Sequence, residues 1–433
     1  MSNSILILIM FVIMLVMIFI GVPVAFSVGI SAVIGLMASG ISLAQLITKM
    51  FGGVDSFTVL AIPFYILVGS VMNHGSLTEK LVKFADSLVG HVKGGLAHVN
   101  VLASMFFAGI SGSSTADSAS IGSMLVPSMV QEGYDVKFSA AITAASSSIG
   151  PIIPPSIMLV LYGSLTGVSV GKLFLGGVGP GILLGLMQMG WTMVIIKKVY
   201  HPKDGVIKKK FSIKNVWKSL IYSFPVLIIP LIICASIVGG ICTATEAGVL
   251  AAAYAIIISL FFYKTITIKQ MPAILLDAAK STGIVLFLMS TAAVFGNVLT
   301  FLHFPKMCVS FLQGITTNPT LMLLIVIAFL FMLGFFIDGT AIMIMFVPVL
   351  LEIANTMGYD PVFFGVIVTV SILIGGITPP VGVLLFVNAK IAKISMDDMI
   401  SGIWPFVVVM VLMVLICAFC PTIITFVPNL LMG

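Results

Sequence analysis

Two acids stand in apolar surroundings beside small, hydroxyl-bearing turns. Asp117 closes the stretch Gly109-Ile110-Ser111-Gly112-Ser113-Ser114-Thr115-Ala116-Asp117, and Asp338 lies in Phe336-Ile337-Asp338-Gly339-Thr340. Glycine supplies the dihedrals of a tight reversal, and an ionisable residue at membrane depth is a functional candidate by default. Each acidic tip has a proline-rich companion. Ser146 to Ser156 holds Pro151, Pro154 and Pro155, and Gly375 to Pro380 reads Gly-Gly-Ile-Thr-Pro-Pro. Proline ends a helix and frees carbonyls from the ladder, and such groups are costly in hydrocarbon unless partnered. A small hard cation prefers oxygen ligands, so a tip paired with a break makes a cage suited to Na⁺. The absence of a Cys/His cluster argues against Zn²⁺. Two such pairs suggest two Na⁺ sites and no organic cofactor. Each Asp has a second reading as the cap of a half-helix N-terminus, and the two roles are compatible.

These residues need elements that hold them within a bilayer. Of 433 residues, 60% are hydrophobic and only 8% are charged, against about 25% charged in soluble domains. At roughly 20 apolar residues per crossing, plus loops, the length predicts about ten to twelve spans. The N-terminus lacks the basic region of a signal peptide and reads as a retained membrane helix. All 20 basic residues are Lys. Their densest run (Lys197, Lys198, Lys203, Lys208, Lys209, Lys210, Lys214, Lys218) lies between apolar spans and marks residues 201–218 as a cytoplasmic linker. That placement, rather than a basic surface, argues against nucleic acid. Cys417 and Cys420 form a C-x-x-C in an apolar run with no helper group, and all five cysteines read as inert thiols. Glu246 reads as a structural anchor. His98, Lys172 and Lys390 read as interfacial or snorkelling. No phosphate-binding loop and no catalytic triad or metalloprotease spacing occurs, so an enzyme or ATP-driven pump is not expected.

The chain also repeats itself. Gly133-Tyr134-Asp135 recurs as Gly358-Tyr359-Asp360, and 358 − 133 = 225; Pro154-Pro155 recurs as Pro379-Pro380 at the same offset. Val126-Pro127 and Asp117 find Val347-Pro348 and Asp338 at an offset of 221, about one helical turn different. The expected fold is an all-α polytopic membrane protein with two inverted repeats, 1–200 and 219–433. Each carries an apolar segment reversed at a tip (98–131 and 319–356) and a discontinuous helix (136–168 and 360–393). Amphipathic stretches at 77–93 and 304–314 read as interfacial helices. Inverted repeats with broken helices are a common architecture of secondary transporters.

The first tip, Val126-Pro127, Gly133-Tyr134-Asp135, Ile153-Pro154-Pro155-Ser156 and Gly376-Ile377-Thr378-Pro379-Pro380 together resemble the large membrane subunit of tripartite ATP-independent periplasmic (TRAP) transporters. Gly21-Val22-Pro23 and Ala61-Ile62-Pro63-Phe64 fit the earlier helices of that family, and the resemblance spans essentially the whole chain. It implies re-entrant hairpins in an elevator fold, Na⁺-coupled import and a bacterial inner-membrane location. It further implies a small four-helix membrane subunit, here a separate chain, and a periplasmic binding protein that delivers an organic acid. C4-dicarboxylates and sialic acids are both family substrates. On this basis the first Na⁺ site is expected at Ser111, Gly112, Ser113, Asp117, Pro151 and Pro154. The second is expected at Asp338, Gly339, Thr340, Gly376, Thr378 and Pro379. Ser113, Ser114, Ser156 and Thr340 are expected to meet the substrate, because a chain without Arg must hold a carboxylate with backbone amides and hydroxyls. The nearest rival is a stand-alone Na⁺/carboxylate symporter of related fold, which would need no partner; a channel suits two paired cation cages less well.

Overall fold

The computed structural model describes residues 2–202, 210–380 and 382–433, so Lys203, Lys208 and Lys209 of the basic linker lie outside the described residues. The chain opens with α1 (Asn3–Phe19), α2 (Val24–Ala38), the short α3 (Ala44–Gly52), α4 (Ala61–His74) and amphipathic α5 (Thr78–Val89). The arms α6 (Gly95–Ser111) and α7 (Ser114–Glu132) flank the first tip. An interrupted helix follows as α8 (Val136–Ser147) and α9 (Ile157–Thr166), and α10 (Val170–Val199) closes this half. The second half runs through α11 (Ile213–Val238), α12 (Ala244–Ile257), α13 (Met271–Phe301) and amphipathic α14 (Phe304–Ile315). The arms α15 (Pro319–Gly334) and α16 (Gly339–Met357) flank the second tip. The halves α17 (Pro361–Gly375) and α18 (Val383–Ala392), then α19 (Met396–Phe419) and α20 (Thr422–Met432), complete the chain. Among the described residues the sole β-pairing is an isolated bridge between Tyr134 and Tyr200.

The repeated Gly-Tyr-Asp is punctuation. Gly133 and Gly358 end their helices at φ of +104° and +70°, a region that favours glycine. Two residues on, Asp135 and Asp360 accept hydrogen bonds from the amides of Phe138 (3.0 Å) and Phe363 (2.7 Å) and so cap the next helices. Helices α7 and α16 each have 19 residues and begin at 114 and 339, and 339 − 114 = 225. The whole tip region thus follows the larger offset. In this register Asp338 stands opposite Ser113, not Asp117, because Ser113 and Asp338 are the respective N-caps. The pairing of the two acids at an offset of 221 is therefore corrected: each serves a different position in its helix.

Packing is reciprocal between the halves. Helix α2 lies against α13 while α12 lies against α4. Arm α7 packs on α18 and arm α16 on α9; α8 meets α19 and α10 meets α17. Among the described residues six helices are long and apolar enough to cross a membrane alone, and nine further apolar helices have 10–17 residues. The tips and breaks shorten several of the latter below the roughly 20 residues of a single crossing. Apolar side chains such as Leu8 and Val12 on α1 and Ile221 and Leu231 on α11 face outward, as expected where lipid is the solvent. The polar groups point in. Asn100 donates to Thr143 Oγ1 (2.7 Å), Ser146 donates to Asn100 Oδ1 (3.0 Å) and Ser104 donates to Ser146 (2.9 Å), joining α6 to α8. Asn388 of α18 donates to Ser118 of α7 (3.0 Å). His98 is fully buried in the first turn of α6, so its side chain does not snorkel.

Candidate functional site

Each tip rests on the break of its own half. Helix α6 ends at Ser111, Gly112 turns at φ +59°, and extended Ser113 starts α7, its hydroxyl accepting from the Ala116 amide. A Cβ at Gly112 would lie 2.7 Å from the Pro155 carbonyl oxygen, so only glycine lets the tip come this close. In the second half, a Cβ at Gly334 would lie 2.6 Å from the Gly375 Cα, so the end of α15 touches the end of α17 backbone to backbone.

Between the two tips opens a cavity of about 550 Å³. It is lined from the tips by Ser111, Gly112, Ser113, Ser114 and Thr115, and by Asp338, Gly339 and Thr340. Pro151 and Gly376 reach it from the breaks. Four helices, α7, α9, α16 and α18, begin at its wall, since Ser114, Ile157, Gly339 and Val383 all line it. Helix N-termini present free amides and a partial positive charge, so this wall favours an anion. The C-terminal ends of α6, α15 and α17 lie beside the same tips, and their free carbonyls favour a cation.

Asp117 lies beneath the cavity rather than in it. Fully buried, it accepts a short hydrogen bond from the Ser111 hydroxyl on Oδ1. Its Oδ2 has no hydrogen-bond partner and faces Gly150 of the first break so closely that a Cβ there would collide with it. A carboxylate oxygen buried without a partner is expensive, and the Ser147 carbonyl oxygen lies beside the same point of Gly150. The residues present therefore fit a small cation next to Asp117. Asp338 differs. It is exposed, and its Oδ1 caps α16 by accepting from the Thr340 amide (2.9 Å).

Several expected residues do not reach the cavity. Ser156 is buried, caps α9 through the Leu159 amide (3.2 Å) and donates to the Pro151 carbonyl. Thr378 is buried and turns its hydroxyl back to the Ile374 carbonyl (2.6 Å). Pro154 and Pro379 shape the breaks and do not line the space. Glu246 completes a capping box with Thr243 at the start of α12, a structural role. Conversely, Ser70 and Asn73 of α4 and Ser281 of α13 line the cavity and were not singled out. The signal was a polar pair one turn apart in the apolar segment 61–74. Asn73 also accepts a short hydrogen bond from Ser120 of α7, tying α4 to the first tip's second arm.

The family model of the tripartite ATP-independent periplasmic transporter, DctM component, matches residues 11–423. A putative TRAP transporter large permease protein of Haemophilus influenzae is 37% identical over 412 residues, 94% of this chain and 95% of that protein. The sialic acid TRAP transporter large permease protein SiaM of Vibrio cholerae is 36% identical over 420 residues, 96% and 97% of the two chains. The C4-dicarboxylate TRAP transporter large permease protein DctM of the same species is 35% identical over 448 residues, 98% of each. Among solved structures, MtrF of Neisseria gonorrhoeae superposes with a TM-score of 0.63 at 13% identity, over 87% of this chain and 84% of that one, a likeness of fold. With the tips, the breaks and the family match all extending across both halves, this multi-pass membrane chain belongs to the DctM-component family of tripartite ATP-independent periplasmic transporters.

Proposed function

We propose that this chain is the translocating subunit of a Na⁺-coupled importer of an organic acid in a bacterial inner membrane. The observation that carries the proposal is the cavity between the two tips, where helix N-termini for an anion and helix C-termini for cations meet. One Na⁺ sits beside Asp117, using its orphaned Oδ2 with oxygens of Ser111, Gly112, Ser113 and the first break around Pro151 and Pro154. A second sits at the second tip and break, with Asp338, Gly339, Thr340 and Gly376 at the cavity wall and Thr378 and Pro379 in the break between α17 and α18. The acid is held at the starts of α7 and α16 by Ser113, Ser114 and Thr340.

The two halves act as inverted repeats. Each tip with its two arms is a re-entrant hairpin, and both hairpins move together as an elevator against α1–α5 and α11–α14. The reciprocal packing of α7 on α18 and α16 on α9 supports treating hairpins and interrupted helices as one body. A small membrane subunit anchors the remaining helices, and a periplasmic binding protein delivers the acid. Sialic acid and C4-dicarboxylates, named for two relatives, bracket the substrate class.

If two Na⁺ accompany one monoanion, −100 mV contributes about 2.3 kcal/mol. A tenfold Na⁺ gradient contributes about 1.4 kcal/mol per ion, enough together for roughly thousandfold accumulation. The test is uptake into proteoliposomes that hold this chain, its small subunit and its binding protein. Uptake is expected with an inward Na⁺ gradient and to be lost when K⁺ replaces Na⁺ on both sides. Equal uptake in K⁺ would remove the Na⁺ coupling, and full uptake without the small subunit would favour a stand-alone symporter.

A further inference from the structure

Basic and aromatic side chains gather at the start of α11, away from the cavity. The outward-facing residues of this helix change character within a few turns. Lys214, Trp217 and Lys218 come first, then Ile221, Phe224 and Leu231, all exposed. In a membrane chain that change marks where the polar surface meets hydrocarbon, the depth at which Trp and Tyr concentrate. The 26 residues of α11 include no acid. Lys214, Lys218 and Tyr222 recur at intervals of four and so share a face. Lys80, in the first turn of α5, holds its Nζ over the Tyr222 ring, 4.9 Å from the centroid. The same Nζ lies 5.9 Å from the ring centroid of Tyr263, just past α12.

Backbone-directed hydrogen bonds fix this junction. Ser223 donates to the Lys80 carbonyl (2.8 Å), and the Tyr263 hydroxyl donates to the Tyr222 carbonyl (2.5 Å). The start of α5, the third turn of α11 and the segment after α12 therefore meet around one ammonium. Among the described residues the ion pairs are His74–Asp277 and Lys137–Asp398, so Lys80, Lys214 and Lys218 are paired with no acid, although exposed Glu79 precedes Lys80 in α5. An ammonium held over a ring still has N–H donors to offer.

We infer that this face binds the headgroup of an anionic phospholipid. Its phosphate takes charge-assisted hydrogen bonds from Lys80 and, one turn back along α11 from Tyr222, from Lys218. Lys214 adds attraction from the water side, and three lysines without acids favour a lipid of net negative charge. Trp217 and Tyr222 rest at headgroup level, and the acyl chains lie along Ile221 and Phe224. Lysine clusters beside a membrane helix attract such lipids, and the lysine excess puts this one in the cytoplasmic leaflet. Helix α5 lies between α11 and the arm α6, so a lipid that bridges Lys80 to α11 steadies the support of the first tip. A protein partner would have to bring its own acids to the bilayer surface, and a soluble phosphate would leave Ile221 and Phe224 uncovered.

The test uses the complex of this chain with its small subunit, purified in detergent. Melting is followed as phosphatidylglycerol, or phosphatidylcholine of the same chain length, is added. Phosphatidylglycerol is expected to stabilise at a concentration at least about tenfold lower, the worth of one to two such lysines, and inorganic phosphate to have no effect. The double variant Lys214→Gln/Lys218→Gln alters exposed side chains only, so the fold should stand. It is expected to lose most of the preference, and Lys80→Gln likewise, whereas Lys306→Gln on α14, also exposed, should keep it. Equal response to the two lipids, stabilisation by phosphate alone, or an unchanged preference in the double variant would overturn the inference. The same loss in Lys306→Gln would mean a general charge effect and overturn it too. Loss of the small subunit from the double variant on copurification would assign the face to that subunit instead. The readout requires neither Na⁺ nor a transported acid, so its outcome is separate from that of the proposed import.

Discussion

At the scale of single residues, the two acids that look alike in the sequence have different surroundings. Asp117 is buried with one oxygen held by Ser111 and the other unpaired against Gly150. Asp338 is exposed to the cavity and caps a helix. The Asp117→Asn substitution keeps the side chain's size and removes its charge. Uptake is expected to fall at least about 100-fold, roughly 2.8 kcal/mol at 1.4 kcal/mol per decade, with correct insertion in the membrane. Gly150→Ala forces a methyl group onto Asp117 Oδ2 and is expected to raise the half-saturating Na⁺ concentration at least tenfold. Uptake measured against a Na⁺ titration checks both. Wild-type Na⁺ dependence in both variants would remove the ion from Asp117.

Among elements, the contacts between tips and breaks are set by glycine backbones. Gly334 and Gly375 touch with no room for a side chain, whereas nothing lies within 4 Å of a Cβ built on Gly314 in α14. Gly375→Ala is therefore expected to push the second tip off its break. Overpacking of this kind costs about 1–3 kcal/mol, which should lower the melting temperature and strongly reduce uptake. Gly314→Ala should leave uptake intact and raise stability slightly, since Ala gains about 1 kcal/mol over Gly inside a helix. Melting curves and uptake rates on both variants decide the point; equal behaviour would mean that the contact does not position the tip.

Across the whole molecule, side chains of α1 and α5 meet the arms of the two tips: Phe11 stacks on Phe346 of α16 and Phe84 on Phe106 of α6. Asn73 of α4 and Ser120 of α7 are hydrogen-bonded, which makes this pair the site at which to introduce two cysteines for a crosslink. In a background where Cys234, Cys242, Cys308, Cys417 and Cys420 are replaced, the oxidised Asn73→Cys/Ser120→Cys pair is expected to stop uptake at least tenfold, with recovery on reduction. Continued uptake with the crosslink formed would contradict sliding of the hairpins past α4.

The amino-acid sequence alone determined the solvent and the punctuation. A chain that is 60% hydrophobic with 8% charge has no aqueous solution to its folding problem, and Gly-Tyr-Asp and Pro-Pro end and restart helices through local backbone chemistry. Those signals are short-range, which is why tips, breaks and half-helices were legible together with the family. The choice among similar hydroxyls needed the tertiary structure. Whether Ser113 faces the cavity and Ser156 the backbone of its own break depends on how one helix start lies against another segment, a relation that spacing does not encode. The same is true of Asn73 and Ser281, which reach the cavity only because α4 and α13 pack together beside the tips. The split between a buried Asp117 and an exposed Asp338 likewise arose from helical register. One acid begins its helix and the other sits a turn inside, and only the folded chain shows which oxygen is left without a partner.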